Sequence, residues 1–181
     1  MSDNPFRSIE TDQFQPVQES LSEVLGVNIG LVSAEGKPLT RSVDVQRSPW
    51  SLLTGSPKGF ARYAECLQAL LRKARSSKTR PLVTVNVANL HLGVVPVESF
   101  GKPVAYFLVG PFLVGQRGQP DDYIALAREF DVQIDRWMEM LQEIRIFSFT
   151  GITAAATLLY QMGQLFNAPI SDSADTGQTI S

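Results

Sequence analysis

The stretch LVTVNVANLHLGVVPVESFGKPVAYFLVGPFLV, residues 82–114, decides the fold. It holds three strand-like runs, LVTVNVA, HLGVVPVE and VAYFLVGPFLV. The last two are joined by SFGKP, a good hairpin turn. Side chains alternate across a strand. His91, Gly93, Val95 and Val97 therefore share one face, which is apolar apart from His91. In the first run Thr84, Asn86 and Ala88 share one face and Val83, Val85 and Val87 the other. The valine face is the clearer core candidate, so Asn86 points to solvent or to a cavity. Asn89 reads as a turn residue that tolerates left-handed geometry.

Outward from this meander the elements follow in order. Thr11 or Asp12 can cap a first helix, in which Phe14, Val17, Leu21, Val24 and Leu25 recur at helical spacing. VNIGLVSAEGKPLT reads as a β-hairpin over 27–33 and 37–41. A polar loop, RSVDVQRSPWSLLTGSPKG, carries Trp50, a costly side chain to leave unpacked. Pro57 opens a second helix with an apolar stripe from Phe60 to Ala74. It ends in RKARSSKTR, whose cations suit a helix C-terminus. Everything after about Gly118 reads as helical: QPDDYIALAREF, QIDRWMEMLQEIRIF and TGITAAATLLYQMGQLF. The pattern predicts an α+β class: a PAS/GAF-like five-stranded antiparallel sheet flanked by helices, with C-terminal helices. The expected organisation is a flexible N-terminus at 1–11, one domain over 12–166 and a disordered tail at 167–181.

Bulk properties narrow the function. The 181 residues fit one domain, with 44% hydrophobic and 19% charged residues and a formal net charge of −2. That balance gives no electrostatic case for nucleic acid or an anionic membrane. Apolar stretches are broken well before the roughly 20 residues of a membrane span, and the N-terminus lacks a signal-peptide pattern. A cytoplasmic location is expected. There is no nucleophile–base pair in a recognisable motif, no phosphate-binding glycine loop and no paired-carboxylate motif, so no enzyme is expected. One Cys and one His fall short of a tetrahedral metal set, and neither a metal nor another cofactor is expected.

Several segments resemble the sensory domain of PocR-type transcription regulators. LSEVLGVNIGLVSAEGKPLT is similar to that family's opening helix and its hairpin of the form a-D-x-x-G-x-P-L-T. GSPKGFARYAECLQALLRKA is similar to a family helix that begins near p-e-G. LHLGVVPVESFGKPVAYFLVGPF places Pro96, Gly101 and Gly110 where the family pattern has Pro and two of its Gly. The resemblance runs from about residue 15 to 165. It implies a PAS-type fold and the binding of small hydrocarbon derivatives such as propanediol, beside a DNA-binding or kinase output. The family's usual cysteines are missing. Their places hold Trp50, Tyr63 and Asn86, and Val87 stands where the family has a His. Cys66 lies near the helix cysteine but out of step with it.

The expected function is a non-catalytic, small-molecule-binding sensory module. The alternative is a degenerate PAS-like domain that acts as an interaction or scaffold module without ligand, which the missing cysteines favour. Trp50, Tyr63, Asn86, His91 and Tyr106 are the candidate ligand-binding residues. Each also has a plain reading: packing for the aromatics, and a half-exposed or backbone-satisfied strand histidine for His91. The face bearing His91 is expected to look toward Trp50 and the helix with Tyr63. The partners expected are a small organic ligand and a second copy of the chain, paired through the C-terminal helices between Ile134 and Phe166, with no nucleic acid and no membrane.

Overall fold

The computed structural model describes residues 11–41, 49–77, 82–87 and 89–166, with the backbone alone at 11–13, 49, 50, 83, 86, 87 and 166. The expected tail at 167–181, and all but residue 11 of the expected flexible N-terminus, lie outside the described residues. The elements in chain order are α1 (Thr11–Leu25), β1 (Ile29–Ser33), α2 (Pro49–Thr54), α3 (Pro57–Ser76), β2 (Val83–Val87), β3 (Leu90–Ser99), β4 (Lys102–Val114), α4 (Pro120–Glu129), α5 (Ile134–Glu143), β5 (Ile146–Phe147) and α6 (Phe149–Phe166).

The sheet runs β1-β4-β3-β2 with every pairing antiparallel, and β5 adds a short parallel pairing to β4. This is the expected α+β sheet with flanking and C-terminal helices. Its fifth strand has a different source from the one the pattern suggests. Residues 37–41 contribute a single bridge, Val32 to Pro38, because proline has no N–H to extend a ladder. β5 instead interrupts the stretch expected to be all helical. Part of the expected polar loop also folds: Pro49 starts α2, and Leu53 is buried with the residues of α4 and α5.

Two layers cover the sheet. Ile29, Leu31, Val95, Val97, Ala105, Phe107 and Val109 face α1 and α6 and join Phe14, Ile152, Ala156 and Leu159 in one core. Val32, Leu92, Val94 and Tyr106 face α3 and join Leu67, Leu70 and Leu71 in another. A third core forms at one end, where α4, α5 and α2 meet Leu90 and Leu113. There Trp137 is fully buried and its indole N–H donates to the Tyr123 carbonyl at 3.0 Å. The Arg117 guanidinium donates to the carbonyls of Leu141, Gln142 and Ile144. These carbonyls lie at the C-terminal end of α5, where acceptors are left over from the helical ladder, although Leu141 also accepts from the Ile144 N–H.

The pairing of β3 with β4 shifts by one residue twice. Glu98 pairs with Pro103, but Val97 pairs with Ala105; Gly93 pairs with Val109, but His91 pairs with Phe112. Each shift places an extra residue in β4, the geometry of a β-bulge. The hairpin closes through Phe100 and Gly101, both at positive φ, which matches a tight two-residue turn.

Helices approach closely where glycine permits. A Cβ on Gly59, in the first turn of α3, would lie 1.9 Å from the Leu53 carbonyl oxygen. The Gly59 N–H meanwhile donates to the Ser56 hydroxyl that caps the helix. The Gly59→Ala variant is therefore predicted to lose about 1–3 kcal/mol of stability, the range for forced overpacking. Urea unfolding checks this, and wild-type stability would contradict the close seating of α2 on α3.

Candidate functional site

The five candidate residues do not converge. His91 lies on the α1/α6 side, half-buried, with its ring stacked on Phe112 at a centroid distance of 5.5 Å and an interplanar angle of 16°. Phe112 in turn meets Phe147 edge-on at 5.8 Å. Tyr63 and Tyr106 belong to the α3 layer on the opposite side of the sheet. The expectation that His91's face looks toward Tyr63 is thus corrected. The bulge near the hairpin explains the outcome. A regular ladder continued from Ser99–Lys102 would set Tyr106 opposite Val95, on the His91 face. With the extra residue, Tyr106 sits opposite Pro96 instead, and a one-residue slip exchanges the faces of a strand.

The other two candidates are placed by backbone alone. Asn86 pairs with His91 across β2 and β3, and Trp50 lies in α2. Their side chains lie outside what the structure describes.

The core of the α3 layer is built of leucines, valines and alanines with Tyr63 and Tyr106, and Lys73 of α3 donates to the Thr84 carbonyl of β2. Tyr106 is 1% exposed, and its hydroxyl has no hydrogen-bond partner among the described residues. Burial pushes the phenols of Tyr63 and Tyr106 above the ordinary value. Both therefore remain neutral hydroxyls near pH 7, suited to orienting a ligand and unsuited to acting as a base. Burial likewise raises the Cys66 thiol, which disfavours the reactive thiolate. No group of three or more His, Cys, Asp or Glu side chains with metal-binding placement occurs among the described residues.

One surface was not singled out from the sequence. Pro16, Val17, Ser20, Leu21 and Val24 of α1 line an open, mostly apolar groove of about 340 Å³ with Met162 of α6. Its signal was present. Two adjacent stripes of α1 carry small or apolar residues, more than one buried face requires.

The architecture is that of a small layered α+β domain with a buried, mostly apolar seam between α3 and the sheet. The comparisons give the family. The chain belongs to the family of the sensory domain found in PocR, whose model matches residues 7–167. No curated protein matches the chain. Among solved structures, it is similar to an IclR homolog from Microbacterium hydrocarbonoxydans complexed with 4-hydroxybenzoate. The identity is 15%, over 84% of this chain and 70% of that one, with a TM-score of 0.30. A likeness of that size carries no argument about this chain. No helix among the described residues is long and apolar enough to cross a membrane.

His91 supplies a pH test. Desolvation lowers its pKa from 6.5, so the folded state binds the proton less readily than the unfolded chain. The neutral form's stability is fully present above pH 6.5 and is lost progressively as pH falls through that value toward the folded pKa. Partial exposure keeps the effect small. His91 is the sole histidine, so an NMR titration reads it without ambiguity. The midpoint is expected below 6.5, and a midpoint above 6.5 would contradict the half-buried stack on Phe112.

Proposed function

We propose that this sensory domain is non-catalytic and receives a small organic molecule with a polar head in the layer between α3 and the sheet. The observation that carries the reading is the Tyr106 hydroxyl, buried in an apolar layer without a partner among the described residues. Buried polar groups are nearly always hydrogen-bonded. A ligand oxygen or nitrogen at this place would satisfy the phenol, and Leu67, Leu70 and Leu71 beside it offer apolar contact. Tyr63 shares the layer. Small-molecule sites have this character, mostly apolar with a few placed polar groups. His91, Asn86 and Trp50 have no demonstrated place in this layer. The proposed setting is cytoplasmic, without direct nucleic-acid contact, and the proposed unit is 12–166.

A second reading, an interaction module without ligand, is favoured by the outer face of α6, where Leu158 and Leu165 are exposed.

Tyr106→Phe tests the ligand reading. In the ligand-free protein, deletion of an unsatisfied hydroxyl is predicted to leave stability unchanged or to raise it by about 1 kcal/mol. A loss above about 1 kcal/mol in urea unfolding would mean that the phenol is already paired, and would remove the main support. Native mass spectrometry of the purified wild-type chain is expected to show a retained small molecule, depleted in Tyr106→Phe. Equal retention in both would place the ligand elsewhere.

A further inference from the structure

We propose that the outer face of α6, together with the neighbouring apolar stripe of α1, is the surface through which two copies of this chain pair. The inference rests on the reading of the chain as a signalling module and names the partner and the face involved.

The outer side of α6 is unusual in composition. Its 18 residues, FTGITAAATLLYQMGQLF, contain no charged side chain. The inner side accounts for Ile152, Ala155, Ala156, Leu159 and Gly163, which are buried. Gly163 permits the closest approach, since a Cβ there would lie 3.3–3.5 Å from Phe107 and Val97. The small residues Ala155, Ala156 and Gly163 are thus used against the chain's own sheet. What remains outside is Ala154, Leu158, Met162 and Leu165, spaced i, i+4, i+8 and i+11, one stripe of a helix. Leu165 is 76% exposed, and on α1 Val24 is 81% exposed. Met162 joins this stripe to the α1 groove that Val24 lines. Single exposed apolar residues are ordinary, but a continuous apolar surface across two helices is a mark of an interaction site.

Two hydroxyls on this side are already paired. Thr153 and Thr157 are exposed, yet the Thr153 hydroxyl donates to the Phe149 carbonyl and the Thr157 hydroxyl to the Thr153 carbonyl, each at 2.9 Å. A partner could therefore cover both threonines without leaving their donors unpaired.

Charge selects the occupant. In a two-fold interface the same patch meets itself, so any net charge near the axis repels its own copy. A face with no charge meets itself without that cost, whereas it gives a charged partner nothing complementary to read. A membrane surface fits poorly. Interfacial helices carry Lys or Arg on their polar side, and neither α1 nor α6 has a basic residue. The carboxylates Glu19 and Glu23 of α1 are exposed beside the groove, in keeping with a polar rim.

Sedimentation velocity at tens of micromolar tests the proposal on the full chain. The wild type is expected to be a dimer. Leu158→Glu and Leu165→Glu should each raise the dissociation constant roughly a hundredfold by burying an unpaired charge, with an unchanged circular dichroism spectrum. Ala154→Lys serves as a further variant if either glutamate change unfolds the chain. Tyr106→Phe should remain a dimer, which separates failure of the ligand reading from failure of the interface. A monomeric wild type would overturn the proposal, as would a dimer that all these variants leave intact. Recruitment of a monomer to vesicles would also overturn it.

Discussion

The β3–β4 ladder is the constraint on which the rest of the structure depends. Both strands are covered on both faces, and their alternation assigns each residue to one helical layer or the other. Val95, Val97, Phe107 and Val109 are committed to α1 and α6, and Leu92, Val94 and Tyr106 to α3. Neither layer can change partner without moving the register by a residue, which would exchange both sets at once. The two shifts in that register therefore set where the candidate residues of β3 and β4 lie. One brings Tyr106 beneath α3. The other brings Phe112 beside His91, where the rings stack.

The helical layers differ in character, and the difference follows from what each covers. α3 packs leucines against a phenol and a row of valines and leucines, giving a seam with a polar point inside it. α1 and α6 pack against a face that is apolar apart from His91, and buried polar groups occur on that side too, among them the Gln18 side-chain oxygen, which has no partner among the described residues. Gln18 is fully buried and its amide donates to the Arg41 carbonyl at 2.8 Å. The Tyr160 hydroxyl donates to Glu98 at 2.9 Å. The α4–α5 pair stands apart on its own core, tied to the sheet by β5 and by Arg117 at the end of α5. The apolar side chains of 134–147 are largely absorbed in these cores: Trp137, Leu141, Ile144 and Phe147 are buried. This leaves the surplus of apolar surface mainly on α6, a narrower source than the whole C-terminal half.

Much of the fold was legible in the sequence because it is written in periodicity and turn chemistry. The helical stripes of α1 and α3, the proline starts of α3 and α4, and the strands at 82–114 all appear where those signals put them. The side of the sheet on which each candidate sits was not legible. It depends on bulges, and nothing in VESFGKPVA marks an extra residue in one strand. The ends of β1's hairpin were misjudged for a related reason, since Pro38 sits within an apolar run yet cannot donate to a ladder. α2 is one short turn-rich helix whose support comes from Leu53 meeting α4 and α5, a contact distant in sequence. The candidate residues are polar or aromatic side chains of the loop, the second helix and the strands. That criterion finds Tyr106, but it cannot separate it from His91, which the register assigns to the other face.

The most direct test of the account is whether ligand binding respects that division. The purified chain can be titrated with 1,2-propanediol, a small polar-headed molecule of the kind the resemblance implies, while NMR follows the rings of Tyr63, Tyr106 and His91. The account predicts that the Tyr63 and Tyr106 signals move together and saturate while His91 stays in place. Movement of His91 with static tyrosines, or no movement of any of the three, would contradict it.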